Sequence, residues 1–410
     1  MHIAGIVAEY NPFHNGHAYQ IQTLKKEKHI DFVIAVMSGH FSQRGLPTIA
    51  DKFTRTKMAL DSGIDIVIEL PTPFATSSAE RFSEAAISLL HQTGIVDTLC
   101  FGSECGNLEA LDLVATTLIN PPPVFSTKLK AYLRSGLSFP RAREQALIDT
   151  LEVDSASIGL YSPIINNPNN ILGIEYIKAL HKYNSNIKPF TITRIHAGYH
   201  DLHITGSITS ATAIRHLALK KDFDTIKTCM PPTSFNYLNE TLNHIPSYEK
   251  LYTFLNYKLI MSNKEDLYAL WDIPKELIHS ILNHFPYCDT LEKLIDMVSS
   301  KTYTRATVQR SLLRILLHIT KEDISTLESL AWTPYIRILG CKRSALSLLG
   351  KLSKKATCPV ITNVGKSYVS LNKAQKCLMD YELKATALYH SLSCSGQNYK
   401  QDFTQSFIKL

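Results

Sequence analysis

Short apolar runs alternate with amphipathic segments through the first half of the chain. Helical spacing of apolar residues covers Gly16–Lys28, Asp51–Ser62, Ser77–Gln92 and Ile171–Tyr183, and a further helix begins near Ser210. Between them lie β-type runs at His2–Ala8, Phe32–Met37, Ile64–Glu69, Thr98–Phe101 and Pro189–Arg194. Because strands that alternate with helices form βαβ units, the pattern predicts an α/β fold with a parallel sheet.

The pattern changes in two places. After Pro121-Pro122-Pro123 it is mainly helical, which predicts a helical insertion over about residues 107–160. Beyond about residue 220 the apolar residues follow helical spacing, as in Arg310–Ile319, and Cys358–Thr362 is the remaining strand candidate. We therefore predict an α/β domain over residues 1–220 and a mostly α-helical region over residues 221–410.

The net charge of +7 is unevenly distributed. Residues 1–210 carry 17 Lys and Arg against 19 Asp and Glu, and residues 211–300 carry 9 against 11, so each part has a net charge of −2. Residues 301–410 carry 17 against 6, a net charge of +11. This local excess indicates a polyanionic partner for the last quarter of the chain.

Composition and patterning exclude several classes of protein. No apolar run approaches the ~18 residues that a membrane helix needs, and the first apolar run lacks the basic flank of a signal peptide. We therefore expect a cytoplasmic protein that does not enter a membrane. We also expect neither disulfides nor a structural zinc site, because no C-x-x-C pair occurs among the cysteines, which are Cys100, Cys105, Cys229, Cys288, Cys341, Cys358, Cys377 and Cys394.

The most informative segment is VAEYNPFHNGHAYQ, residues 7–20, which follows the first predicted strand and enters the first helix. In an open parallel sheet, ligands bind beyond the carboxyl ends of the strands, where helix amino termini favour anions. His14 and His17, with Gly16 allowing close backbone approach, can donate hydrogen bonds to phosphate oxygens as charge shifts during phosphoryl or nucleotidyl transfer. Two other interpretations stay open: a zinc pair, or turn histidines that satisfy local hydrogen bonds.

A second segment, Ser210-Ala211-Thr212-Ala213-Ile214-Arg215, stands at a predicted helix start. Its hydroxyls and free amides can hold phosphates, and Arg215 can neutralise a leaving pyrophosphate. The alternative is that Ser210 is only an N-cap and Arg215 only a solvated residue.

These two segments resemble the H-x-G-H and I-S-S-T-x-I-R signatures of the nucleotidylyltransferase superfamily. Further segments resemble the bacterial tRNA(Met) cytidine acetate ligases, and AEYNPFHNGH, residues 8–17, is close to diagnostic for that family. The other matching segments are residues 37–47 (MSGHFSQRGLP), Asp51-Lys52 with Arg55, residues 69–71 (ELP), 78–82 (SAERF), 101–104 (FGSE), 168–173 (PNNILG), 194–201 (RIHAGYHD) and, later in the chain, 335–340 (YIRILG). The resemblance is specific over residues 1–215 and thinner beyond.

The resemblance implies a Rossmann-like nucleotidyltransferase domain that binds ATP within residues 1–220. It implies an enzyme that converts ATP and acetate to acetyl-adenylate and passes the acetyl group to N4 of the wobble cytidine of elongator tRNA(Met). His14, His17 and Arg215 would be catalytic, and Mg²⁺ is expected to assist, with no ligand set identified. ATP contacts are expected at Val7, Ala8, Glu9, Tyr10, Asn11, Pro12, Phe13, His14, Asn15, Gly16, His17, Ala18, Tyr19, Gln20, Gly102, Asn169, Asn170, Arg194, Ile195, Ser210 and Thr212.

Some of these residues have simpler explanations. Asn169 and Asn170 can cap the helix that follows them, and Arg194 can form a surface ion pair. Glu9 stands where the superfamily usually has a small residue, and a carboxylate near a triphosphate repels it. We therefore expect Glu9 either to bind magnesium or to point away into the structure.

The basic last quarter is expected to contact tRNA phosphates through Arg305, Arg310, Arg337, Lys342, Arg343, Lys354 and Lys355. Two rival functions remain open. A nucleotidyltransferase that moves AMP to a phosphorylated small metabolite would not need the basic region. A non-catalytic RNA-binding protein that only senses ATP would not need His14, His17 and Arg215.

Overall fold

A computed structural model describes residues 1–137, 139–152, 159, 161–194, 209–393 and 398–410. Within these ranges the strands are β1 Ile3–Ala8, β2 Phe32–Ser38, β3 Ile66–Leu70, β4 Thr98–Ser103, β5 Lys188–Thr193, β6 Ile336–Cys341, β7 Val360–Ile361 and β8 Ile408–Lys409. The helices are α1 Asn15–Lys28, α2 Lys52–Asp61, α3 Thr72–Ala75, α4 Ala79–Gln92, α5 Leu108–Ile119, α6 Pro123–Arg134, α7 Phe139–Leu151, α8 Tyr161–Asn166, α9 Pro168–Lys182, α10 Ala211–Lys220, α11 Phe223–Cys229, α12 Pro232–Thr241, α13 Tyr248–Met261, α14 Lys264–Tyr268, α15 Lys275–His284, α16 Leu291–Val298, α17 Arg305–Leu317, α18 Lys321–Glu328, α19 Leu346–Lys355, α20 Val364–Ser367, α21 Lys373–Leu392 and α22 Gln401–Thr404. Short 3₁₀ turns lie at Leu242–His244, Phe285–Tyr287, Arg343–Ala345 and Tyr368–Ser370.

The strands form one sheet in the order β5-β4-β1-β2-β3-β6-β7, with β8 beside β6. Strands β1 to β5 are parallel, which confirms the predicted α/β class. Their carboxyl ends meet at one edge, which we call the carboxyl edge. Ligands of open parallel sheets bind at this edge.

Helices cover both faces of the sheet, so its strands are apolar on both sides. Successive residues of β2 alternate between two apolar clusters: Ile34 and Val36 face the side of α4, α5 and α9, whereas Val33 and Ala35 face the side of α1 and α2. A third apolar cluster joins α13 to α17. The described part of residues 107–160 is helical, from α5 onward.

The chain after residue 220 is mostly helical, but it also extends the sheet. Strand β6 pairs antiparallel with β3, with Ile66 opposite Cys341, and β7 and β8 pair with β6. The sequence pattern missed β6, whose run of buried residues contains Arg337, and β7 is only two residues of the predicted strand at Cys358–Thr362. The predicted division at residue 220 stays a prediction, although one apolar cluster contains both Ile68 and Ile338.

Among the described residues, no helix has both the length and the apolar character needed to cross a membrane.

Candidate active site

Two histidines open helix α1 at the carboxyl edge and cap each other's backbone. The Nδ1 atom of His14, the N-cap residue, accepts a hydrogen bond from Gly16 N at 3.1 Å. The Nδ1 atom of His17 accepts one from His14 N at 3.2 Å, and the two rings stack with centroids 3.8 Å apart. Because each Nδ1 accepts from a backbone amide, each neutral ring carries its proton on Nε2.

The two imidazoles are neutral donors. Burial, together with the charges of Arg194 and Arg215, lowers the pKa of His14 to about 3. Burial also holds the pKa of His17 well below its ordinary value, assisted by His14 and Arg194. The local hydrogen bonds that could have explained these histidines use only Nδ1. They leave two oriented Nε2–H groups of the kind that stabilises charge developing on a phosphate.

Helix α10 forms a second side of the site. Ser210 is its N-cap, and Ser210 Oγ accepts from Ala213 N at 3.2 Å. Arg215 Nη1 donates to Asn11 O at 2.7 Å, and its Nη2 donates to Thr212 Oγ1 at 2.9 Å. Arg215 therefore links α10 to the loop before α1 and is more than a solvated surface residue.

The ends of β4 and β5 form a third side. A Cβ atom on Gly102 would lie 3.2 Å from Cγ of Arg194, so the missing side chain lets Arg194 cross the end of β4. Arg194 Nη1 donates to Asn169 Oδ1 at 3.5 Å, a long hydrogen bond. A guanidinium and an amide therefore stand together opposite the two histidines.

Glu104, which the sequence analysis assigned no role, holds this third side in place. Its Oε1 accepts from Asn169 Nδ2 at 2.6 Å, and its Oε2 accepts from Asn170 N at 2.9 Å. The bond to Nδ2 turns Asn169 Oδ1 toward Arg194. Asn170 Oδ1 accepts from the backbone N of Glu104 and of Cys105, so this buried side chain stabilises the corner between β4 and α9 instead of facing a ligand.

The three sides form a cleft that is open to solvent. It brings together many predicted residues and adds Ile192, Thr193 and Thr209, which lie within two positions of predicted residues. The lining residues are His14, Gly16, His17, Tyr19, Gln20, Gly102, Ile192, Thr193, Arg194, Thr209 and Ser210. Their predicted contacts with ATP stay predictions.

Other residues of the 7–20 segment support the loop from behind. The side chains of Tyr10, Pro12 and Phe13 are buried. Asn11 Oδ1 accepts from Ile49 N at 2.9 Å, and Asn15 Nδ2 donates to Thr228 O at 3.0 Å. These side chains therefore set the shape of the loop. Val7, Ala8 and Ala18 are half-buried, and the predicted contact at Ile195 lies outside the described residues.

Glu9 is hydrogen-bonded to a neighbouring loop. Its Oε1 accepts from Gln43 N at 2.6 Å, in the loop between β2 and α2. The carboxylate is thus bound by a backbone amide of another loop, and its predicted contact with ATP stays a prediction.

A buried arginine, Arg55, fixes the carboxyl ends of β1 and β2. Its guanidinium donates to Glu9 O at 2.6 Å, to Ser38 O at 3.1 Å and to Gly39 O, and its Nε donates to Ala50 O at 3.0 Å. Burial lowers the pKa of Arg55 to about 10, which leaves it charged at neutral pH. The signal in the sequence was the Asp51-Lys52 pair with Arg55, which we matched to a family but gave no role.

A buried ion cluster joins β3, α2, β6 and the carboxyl-terminal segment. Lys52 Nζ lies 2.6 Å from Glu69 and 2.7 Å from Asp402, and Arg337 lies 2.7 Å from Glu69 and 2.6 Å from Asp402. Glu382 completes it by accepting from Thr72. Arg337 is 4% exposed, so its predicted contact with tRNA is wrong. Its buried charge is neutralised by the carboxylates of Glu69 and Asp402.

The remaining basic residues lie on several different elements. Arg305 pairs with Glu292 and Asp296, and Arg310 is half-buried beneath Gly45. Lys342 N donates to Asp65 O at the amino end of β3, so Lys342 and Arg343 lie at the sheet edge opposite the cleft. Lys354 and Lys355 are exposed at the end of α19, beside Gly94. Contact of these residues with tRNA stays a prediction, and Lys342 and Arg343 are placed for a part of tRNA remote from the cleft.

In the part of the chain that the structure describes, seven cysteines are free thiols, and no group of three or more His, Cys, Asp or Glu is placed to hold a metal ion. Cys394 lies outside that part.

Paired neutral imidazoles at a helix start, facing two arginines at the carboxyl edge of a parallel sheet, define a nucleotide-binding site of the nucleotidyltransferase class. The model of the HIGH Nucleotidyl Transferase family matches residues 1–405. The tRNA(Met) cytidine acetate ligase of Alkaliphilus metalliredigens is 41% identical over 399 residues, covering 95% of this chain and 94% of the relative. That of Clostridium perfringens is 38% identical over 399 residues, 96% of each chain.

Two crystal structures of Thermotoga maritima TmcAL extend the likeness to three dimensions. The apo form has a TM-score of 0.91, and the form bound with alpha-thio ATP has a TM-score of 0.90. Both are 31% identical to this chain, with 100% of each chain covered. The chain belongs to the HIGH nucleotidyl transferase family and, within it, to the tRNA(Met) cytidine acetate ligases.

Proposed function

We propose that this enzyme joins acetate to a tRNA cytidine in two steps driven by ATP. In the first step an acetate oxygen attacks the α-phosphorus of ATP, which forms acetyl-adenylate and releases pyrophosphate. In the second step the N4 amine of the wobble cytidine of elongator tRNA(Met) attacks the acetyl carbonyl carbon. AMP leaves, the amine loses a proton, and N4-acetylcytidine is formed.

The observation that carries this proposal is a cleft lined by three donors, His14, His17 and Arg194, with Arg215 close enough for its charge to act on His14. His14 and His17 present Nε2–H groups from α1, Arg215 comes from α10, and Arg194 comes from the end of β5. Charge moves onto the phosphates as pyrophosphate leaves, and donors that are already oriented stabilise it without reorganisation.

In this proposal magnesium enters only as an ion bound to the phosphates of ATP. The described residues offer no carboxylate cluster for it, and Glu9 is hydrogen-bonded to Gln43 N. No step above depends on a protein-bound metal. The substrate tRNA also makes the cytoplasm the proposed location.

The test uses purified protein, ATP, labelled acetate and bulk tRNA. Acetate-dependent pyrophosphate release with label moving into tRNA is the expected result. His17→Ala should abolish acetyl-adenylate formation while tRNA binding persists, and His181→Ala, at an exposed position near the end of α9, serves as the matched control. Transfer of AMP to a phosphorylated metabolite, or ATP turnover indifferent to acetate and tRNA, would contradict the proposal.

A further inference from the structure

Tyr248, the first residue of α13, combines an inward position with exposure to solvent. The positions of α13 that face the core are Leu251, Tyr252 and Leu255, which are 4%, 7% and 0% exposed. At 100° per residue, Tyr248 lies on the same side of the helix as these three. Yet Tyr248 is 46% exposed. Its ring is therefore partly open to solvent although its position lies on the inward side of the helix.

The neighbours of this helix start place it on the face of the sheet that carries α1, α2 and α10. Ile245, three residues earlier, packs against the apolar cluster that contains Ile214, the residue before Arg215. Leu251 and Leu255 line a crevice with Gly45 and Leu46, in the loop whose Gln43 binds Glu9.

Charges from two sides also reach the tyrosine. Burial by surrounding groups raises the pKa of Tyr248, and the positive charge of Arg215 opposes that rise. Glu292, from α16, acts in the same direction as burial. The charge of Arg215, which also acts on His14 in the cleft, therefore reaches the phenol from α10, and the charge of Glu292 reaches it from α16.

We propose that Tyr248 is the stacking face for the pyrimidine base that enters the cleft to be acetylated. This inference rests on the proposed function. Bases in single-stranded RNA loops are recognised by stacking on aromatic side chains, and Tyr248 offers a half-exposed aromatic ring within reach of the charge of Arg215. Tyr248 would hold the base while the exocyclic amine of that base reaches the acetyl-adenylate.

The experiment separates the two steps of the reaction. Acetate-dependent exchange of pyrophosphate into ATP, without RNA, reports acetyl-adenylate formation. Acetyl transfer to an anticodon stem-loop RNA, at saturating ATP and acetate, reports use of the base. Tyr248→Ala should lower kcat/KM for this RNA by about 10- to 100-fold, the usual size of one stacking contact, and leave the exchange rate within about two-fold. Tyr248→Phe and Tyr248→Trp should retain most of the activity.

Tyr257→Ala is the matched control. Tyr257 lies on the same helix, is 67% exposed and points to the opposite side, so its truncation should change neither assay. A stem-loop with an abasic site at the acceptor position adds a readout specific for stacking. Wild type and Tyr248→Ala should bind this RNA equally, whereas wild type should bind the intact RNA more tightly.

Three results would overturn the inference: unchanged kcat/KM for Tyr248→Ala, a fall in the exchange rate that indicates contact with ATP or damage to the fold, or equal loss of affinity for abasic and intact RNA. Failure of the proposed function would look different, because wild type itself would then transfer no acetyl group. In that case, comparing how wild type and Tyr248→Ala bind the abasic and the intact RNA would still test whether the base stacks on Tyr248.

Discussion

Glu382→Gln should stabilise the protein at neutral pH. Glu382 is buried in the ion cluster, and burial, with a contribution from Glu69, raises its pKa from 4.5 to about 8. The folded protein therefore keeps a proton at pH 7 that the unfolded chain has lost. The stability supplied by this proton is fully present below pH 4.5 and is lost progressively as the pH rises to about 8.

The magnitude follows from the pKa difference. Each pH unit in this interval costs about 1.4 kcal/mol, so the loss is about 3 kcal/mol at pH 7 and about 5 kcal/mol above pH 8. Glutamine has no proton to lose. It can keep both contacts with Thr72, because its Oε1 accepts from Thr72 N and its Nε2 donates to Thr72 Oγ1. We expect the variant to exceed wild type by these amounts, with the gap vanishing toward pH 4.5.

The assay is urea unfolding of both proteins, followed by circular dichroism, at intervals from pH 5 to pH 9. Glu69→Gln is the matched control, since Glu69 forms ion pairs with Lys52 and Arg337. Removing its charge should destabilise the protein by about 3–5 kcal/mol, because two buried cations then share Asp402. If Glu382→Gln were less stable than wild type at pH 8, Glu382 would be an ionised partner of Lys52 and the reasoning would be refuted.

Three further predictions concern the cleft and the tRNA surface. Since burial lowers the pKa of His14 to about 3, the rate of acetate-dependent pyrophosphate exchange should show no rise as the pH falls through 6.5; such a rise would reveal catalysis by an imidazolium. Glu104→Gln should raise the KM for ATP about 10-fold with little change in kcat, because an amide cannot accept hydrogen bonds on both sides of its head group, and an unchanged KM in the exchange assay would contradict this. Charge reversal at Lys354 and Lys355 should weaken tRNA binding and reduce the slope of log affinity against log salt by about 2, and an unaltered slope would remove them from the interface.

Most of the α/β architecture could be predicted because its strands and helices carry local signals. The continuous apolar runs of β1 and β2 arise from burial on both faces, and Ser77–Gln92 contains the amphipathic helix α4. Strand β6 could not be found in this way. Arg337 breaks its apolar run, and the carboxylates that make a buried arginine possible come from β3 and from residue 402, far away in the sequence.

The residues of the candidate site also differ in whether local sequence signals predict them. His14, His17 and Arg215 were found because each stands at a helix start within a recognisable local motif. Glu104 and Arg55 were missed because their partners are carbonyls and amides of other segments, which no local pattern reveals. The tRNA surface was the weakest prediction, since net charge counts Arg337 like any other arginine although the fold buries it.

Glu9 shows how the two parts of the chain depend on each other. A carboxylate at this position would repel a triphosphate unless its charge were held elsewhere. Here Gln43 N donates a hydrogen bond to the carboxylate, and the buried cation Arg55 donates one to the backbone oxygen of the same residue. Both interactions offset the negative charge of Glu9. The loop that supplies Gln43 is itself packed against α17, where a Cβ atom on Gly45 would lie 2.9 Å from backbone atoms of Arg310. Glu9, at which this sequence departs from the superfamily pattern, is therefore accommodated by a loop that α17 holds in place. Through this loop, the shape of the ATP cleft depends on the helical region that is expected to contact tRNA.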